Sequence, residues 1–187
     1  MPSSTRSHIC VWRRRDTPGL EWCRFESTGI RGSLLVDLEG SRRFVTYAVR
    51  RDGKWHTRRA TVDQEDWSGR RRLVLRVDRR GRWFSGRREL EWAEGLLDVD
   101  LGVTPSTNTL PIRRLRLRVG DSAELTAVWV KFPSLEVRPL AQRYTRLGPS
   151  TYRYQSLVDG KVAFTAQLTM DGDGAVRRYA GLFQRLD

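Results

Sequence analysis

The sequence predicts an all-β, mainly antiparallel fold: a single strongly curved sheet or incomplete barrel with a few short helices. Three observations predict it. Apolar residues alternate with a period of two, turn signals separate the alternating runs, and no amphipathic helical pattern of three turns occurs. About a dozen short strands joined by tight turns are best accommodated by a sheet that curls on itself. The 187 residues suffice for one real core. Residues 1–8 are expected to be disordered and 9–187 to form one domain, with pseudo-repeat halves at about 9–97 and 98–187.

Along the chain, "DTPG" reads as the first turn. Centred near Thr17 and Pro18, it sets Cys10 opposite Phe25 and Cys23 opposite Trp12, so no disulfide is expected and both cysteines read as reduced, buried thiols. "RRFVTYAVR" places Phe44, Thr46 and Ala48 on one face and Val45, Tyr47 and Val49 on the other. "RDGK" turns the chain, after which Arg58 shares a face with Ala60 and Val62. "RRLVLRVD" aligns Leu73, Leu75 and Val77 before the turn "DRRGR". In "PIRRLRLRVG", read as a strand, Arg113 lies on the apolar face with Leu115, Leu117 and Val119. Tyr152 and Tyr154 share a face, "VDGK" turns, and "FTAQLTMD" aligns Phe164, Ala166, Leu168 and Met170 before "DGDG". Short helical pieces are expected near 64–69, 86–96 and 104–109, the last with Thr104 capping and Pro105 at the first position. "LRVDRRGRW" and "LTMDGDGAV" share a strand, an Asp, a turn and a Gly; duplication and the general likeness of hairpins explain this equally well.

Net charge is +13, and of 35 basic residues only Lys54, Lys131 and Lys161 are lysine. Such a charge attracts anionic surfaces. The arginine doublets are nevertheless scattered over many turns and strands, where neighbours point to opposite faces. Nucleic acid is therefore not an expected partner, and an anionic membrane surface is at most a weak one. Two histidines without a cysteine cluster give no metal spacing, and no cofactor motif occurs. The chain has no apolar run of 18 residues, and "MPSSTRSHIC" has no secretory core, so a cytoplasmic protein is expected.

One segment, "DVDLGVTPSTNTLPIRRL" (98–115), is nearly free of arginine until its end. Asp98 and Asp100 lie two apart on one strand face, and either could pair with Arg113 or Arg114 to pin a crossing loop. Thr104, Ser106, Thr107, Asn108 and Thr109 then offer neutral donors and acceptors at a cavity rim, a set suited to sugar hydroxyls. The alternative is that they satisfy their own backbone.

That segment, with "QRYTRL" (142–147), "YRYQS" (152–156) and "LTMDGDGAVRRYAGLF" (168–183), resembles the bacterial glycolipid-binding family, formerly a domain of unknown function. "YAVRRDGKWHTRRATV" (47–62) and "VDRRGRWF" (77–84) match in order, so the resemblance runs from about Trp12 onward. It implies a fold similar to the carriers that shuttle lipoproteins across the periplasm, an incomplete barrel around an apolar cavity. It supplies no catalytic residues.

The leading expectation is non-enzymatic binding of a lipid or glycolipid-like amphiphile in the apolar concavity. Its expected ligand-binding residues are Trp55, Arg58, Asn108, Thr109, Arg113, Tyr144, Tyr152 and Tyr154, with Asp98, Asp100 and Arg114 forming structural ion pairs. The alternatives are an enzyme acting through Asp98 and Asp100, and a sequence-blind binder of anionic surfaces or nucleic acid.

Overall fold

The computed structural model describes residues 7–186. Disorder expected over 1–8 falls largely outside these; within them, His8 already opens the first strand. The first half of the chain forms β1 (His8–Arg14), β2 (Gly19–Glu26), β3 (Gly29–Leu38), β4 (Ser41–Arg51), β5 (Thr57–Asp66), β6 (Gly69–Val77), β7 (Trp83–Ser85) and β8 (Arg88–Glu89). The second forms β9 (Val99–Leu101), α1 (Thr109–Leu115), β10 (Ser122–Lys131), β11 (Glu136–Arg146), β12 (Thr151–Val158), β13 (Lys161–Met170), β14 (Val176–Tyr179) and β15 (Phe183–Arg185).

All fifteen strands belong to one sheet, in the spatial order β8-β7-β6-β5-β4-β3-β2-β1-β15-β14-β13-β12-β11-β10-β9. Each half is a meander, and the two join where the first strand meets the last, Trp12 opposite Arg185. The edges, β8 and β9, are consecutive in the chain, so the break in the barrel falls between sequence neighbours. Loops bridge that gap. Gln64 Nε2 and Arg71 Nη2 donate to Pro133 O at 3.1 and 2.7 Å, and Thr57 N donates to Leu97 O at 2.8 Å. The sheet is thus curved and incomplete, as expected.

Tight turns do the work the sequence assigned them. At "VDGK", Val158 pairs with Lys161 and both central residues, Asp159 and Gly160, have positive φ (50° and 72°), which matches the right-handed twist of the flanking strands. The first turn corrects the expected register. It centres one residue earlier, so Cys10 lies directly opposite Cys23 and Trp12 opposite Glu21. The two are nevertheless not joined in a disulfide, and both side chains are buried.

Two helical expectations also change. Residues 64–69 close the β5–β6 hairpin as strand and turn, with Trp67 exposed at its tip. The strand expected from Pro111 is instead α1, entered directly from a 3-10 turn at Ser106–Asn108. The reason lies in topology. β9 and β10 are the one parallel pair among the described residues, and a parallel pair needs a long crossover, usually helical. Pro111 falls in the first helical turn, where its missing N–H costs nothing, and Arg113 and Arg114 sit in the last turn beside the carbonyl end. Arg116, at φ 49°, stops the helix.

This crossover occupies the concave side of the sheet. Every residue from 103 to 112 is buried. Leu110 and Ile112 join Trp12, Trp83, Leu75, Leu101, Tyr144 and Leu168 in one core. The hollow implied by the resemblance is therefore filled by the chain's own plug.

Candidate functional site: a basic, aromatic mouth above a filled half-barrel

A buried carboxylate, Glu21, and a half-buried one, Asp100, meet the plug from two walls of the sheet. Glu21, on the inner face of β2, accepts from Thr104 Oγ1 at 2.6 Å and Tyr47 Oη at 2.5 Å. Tyr47 also lies 2.8 Å from Ser106 Oγ. It reaches across β3 because Gly32 leaves room: a Cβ there would sit 2.5 Å from the tyrosine oxygen. Burial pushes the Glu21 carboxyl up to about 7 despite the Thr104 and Tyr47 hydrogen bonds. Its Oε2 has no hydrogen-bond partner among the described residues, an arrangement suited to a neutral acid. On the other wall, Asp100 accepts from Gln142 Nε2 at 2.6 Å and is pushed up to about 6, again by burial. Asn108 Oδ1 accepts from Tyr144 Oη at 2.8 Å.

The expected roles of this segment divide accordingly. Asp98 pairs with Arg114 at 2.5 Å, as expected of a pinned loop. Asp100 forms no ion pair among the described residues; its partners are Gln142 and, at 3.5 Å, Thr107. Thr104, Ser106, Thr107, Asn108 and Thr109 are not a rim. They are buried beneath the helix, and Tyr144 and Tyr154 pack there too, their rings 5.3 Å apart. Polar composition alone suits a rim and an interior crossing equally, and here the segment crosses the interior.

Open space lies above the plug, at the mouth. A cavity of about 570 Å³ is lined by Trp55, Arg113, Arg116, Arg146, Tyr152 and Met170, with Ile112 as floor and the Asp171–Gly174 turn as one side. Trp55 stands at φ 69°, uncommon for so bulky a residue. Its turn is held by Asp52, which accepts from Lys54 N at 2.8 Å and His56 N at 3.0 Å and pairs with Arg58 at 2.7 Å. Arg58 is therefore outside the cavity. A shift in the β4–β5 pairing at Arg50/Arg51 turns it away from the face of Ala60, and it clamps the turn that presents Trp55.

Arg113 does not pair with Asp98 or Asp100. Its Nη2 donates to Asp173 O, and its guanidinium lies 5.7 Å from the Trp55 ring. Gly174 permits this approach: a Cβ there would meet Arg113 Nε at 2.5 Å. Arg51 stacks on Trp55 at 3.7 Å. Burial and then the nearby Arg113 lower the Arg51 pKa, against the pull of Asp52. Arg146 lies 5.6 Å from the Tyr152 ring and donates to the carbonyls of Leu117, Gly148 and Pro149. Of the expected binding residues, then, the structure brings Trp55, Arg113 and Tyr152 together at the mouth. Arg116, Arg146 and Met170 were missed. Arg146 sits two residues from Tyr144, but nothing in the sequence aligned it with the crossover.

His8, Cys10 and Asp171 each offer one ligand atom within 4.8 Å of the others. A cation is already there: Arg185 Nη1 lies 2.5 Å from Asp171 Oδ2 and 3.5 Å from Cys10 Sγ. This cluster reads as an arginine-centred clasp between β1 and β15 rather than a metal centre.

An incomplete β-barrel with a plugged interior and a ligand-sized mouth is the class these features define. The chain belongs to the family described as "Putative glycolipid-binding", whose model matches residues 9–185. It is similar to a crystal structure of a DUF1089 family protein from Pseudomonas aeruginosa, at 40% identity and a TM-score of 0.83, over 90% of this chain and 92% of that one. No curated protein matches it significantly.

Proposed function

We propose that this protein binds a glycolipid-like amphiphile without transforming it, holding the headgroup in the mouth cavity. The single observation that carries the reading is the coexistence there of two aromatic walls, Trp55 and Tyr152, with guanidinium donors in a space of about 570 Å³. Aromatic faces suit the apolar side of a sugar ring, and the donors suit its oxygens. The floor, Ile112 and Met170, offers the first methylenes of an aglycone an apolar contact. The family description supports the ligand class alone.

Other features favour binding over catalysis at the residues first considered. Asp98 is committed to Arg114, and Asp100 to Gln142, both beneath the plug. The charge also disfavours a nucleic-acid face. Arg14, Arg31, Arg70, Arg82, Arg138 and Arg143 each pair with an acid of the same hairpin or its turn, so these arginines are locally neutralised rather than gathered into a stripe.

Calorimetric titration with octyl glucoside below its micelle concentration, beside native mass spectrometry of the purified protein, tests the proposal. Binding that weakens about fivefold or more in Tyr152→Ala is expected. Absence of any bound or co-purified amphiphile would sink it.

A further inference from the structure

The mouth carries more positive charge than a neutral sugar requires. Arg113 and Arg116 come from the end of α1 and Arg146 from β11, and all three line one cavity. Arg51 adds a fourth guanidinium across the Trp55 ring. None of the four forms an ion pair within 4.0 Å among the described residues, although most other hairpins of this protein match their arginines with acids. The nearest carboxylate on the wall, Asp171, is spent: Oδ2 takes Arg185, and Oδ1 accepts from Asp173 N and Ala175 N. Nε of both Arg51 and Arg113 is buried without a hydrogen-bond partner. Guanidinium groups without a carboxylate partner, crowded into a half-enclosed space, repel one another even where backbone carbonyls take some of their donors, as at Arg113 and Arg146, and an anion relieves that repulsion.

Geometry narrows the anion. One arginine fork satisfies a planar carboxylate, whereas donors arriving from several directions suit an oxyanion with three or more exposed oxygens. We infer that the mouth is a phosphate site, and that the amphiphile it takes carries a phosphorylated headgroup. This rests on the reading that the mouth is the binding cavity, and it adds the charge of the ligand. Trp55 and Tyr152 then flank the sugar or glycerol part, while Arg113 and Arg116, with Arg51 behind them, face the phosphate.

The test compares five probes by calorimetry on the full chain: inorganic phosphate, glucose, glucose 6-phosphate, octyl glucoside, and vesicles of phosphatidylglycerol against phosphatidylcholine. Glucose 6-phosphate is expected to bind more tightly than glucose by over about tenfold, and to weaken as salt rises. Arg116→Gln should weaken it by about tenfold, a larger loss than the same change causes for octyl glucoside, which has no charge for the guanidinium to meet. Arg116 is exposed and ends the helix without a side-chain bond of its own, so that variant should fold; a thermal melt checks it. Preference for phosphatidylglycerol vesicles identifies a lipid headgroup as the source. Inorganic phosphate binding as tightly as every ester, with no vesicle preference, keeps the phosphate site but assigns it to a free metabolite. Octyl glucoside binding with no gain from phosphate overturns this inference and leaves the amphiphile reading intact. Phosphate esters binding while octyl glucoside does not would do the reverse.

Discussion

Glu21 shows how one side chain couples the plug to pH. Its acid is pushed up to about 7 in the folded chain from an ordinary 4.5. Between those values the folded state holds a proton that the unfolded state has lost, so stability falls as pH rises through this window and levels above it. The loss is about 3 kcal/mol. Glu21→Gln should remove most of that slope and be the more stable protein at pH 8, as urea titrations at pH 5 and 8 will show. Asp98 and Arg114 give the opposite kind of test. Arg114→Met strands a carboxylate that is 2% exposed and should cost about 3 kcal/mol at pH 7.5. Adding Asp98→Asn should recover part of it in a double-mutant cycle. Asp98 and Arg114 were legible because an arginine-poor stretch carrying two acids ended in two arginines. Glu21 was equally visible in principle, since "EWCRFE" alternates it with Cys23 and Phe25 on the inward face. Alternation alone does not mark it as buried, because the adjacent turn and the many exposed acids of this chain allow the same spacing on an outer face.

At the scale of the element, the plug decides what the barrel can hold. Leu110 is fully buried at the start of α1. Leu110→Ala should lower stability by about 2–5 kcal/mol in urea, through lost burial and the cavity left behind. The misreading of this element is instructive. Residues 110–119 alternate like a strand, and a seven-residue helix offers too few turns for a period of 3.6 to stand out. Its helical state depends on β9 and β10 lying parallel, a fact about two strands far apart in the pattern. The mouth inherits the same dependence. Arg113 points where it does because α1 ends there and because Gly174, sixty residues on, lacks a side chain.

The whole molecule is two meanders sewn together by its terminal strands. β1 and β15 pair across nearly the full length of the chain, and Arg185 clasps Asp171 beside Cys10. Removing residues 182–187 should therefore abolish a single cooperative thermal transition by circular dichroism, because it unpairs both halves at once. So non-local a closure also predicts refolding in milliseconds to seconds, slower than for helical chains of this size. The β-rich class, the curved incomplete barrel and the hairpin turns were determined by the sequence alone, and the Asp98–Arg114 pin was one of the four acid–arginine pairings it left open. Each follows from interactions between residues close in the chain, where alternation and turn chemistry are strong. The filled concavity, the burial of Thr104 to Thr109 and the arginine-lined mouth were decided only by tertiary structure. They depend on which segment crosses the inside of the sheet, and that is settled by packing between residues the local pattern never relates.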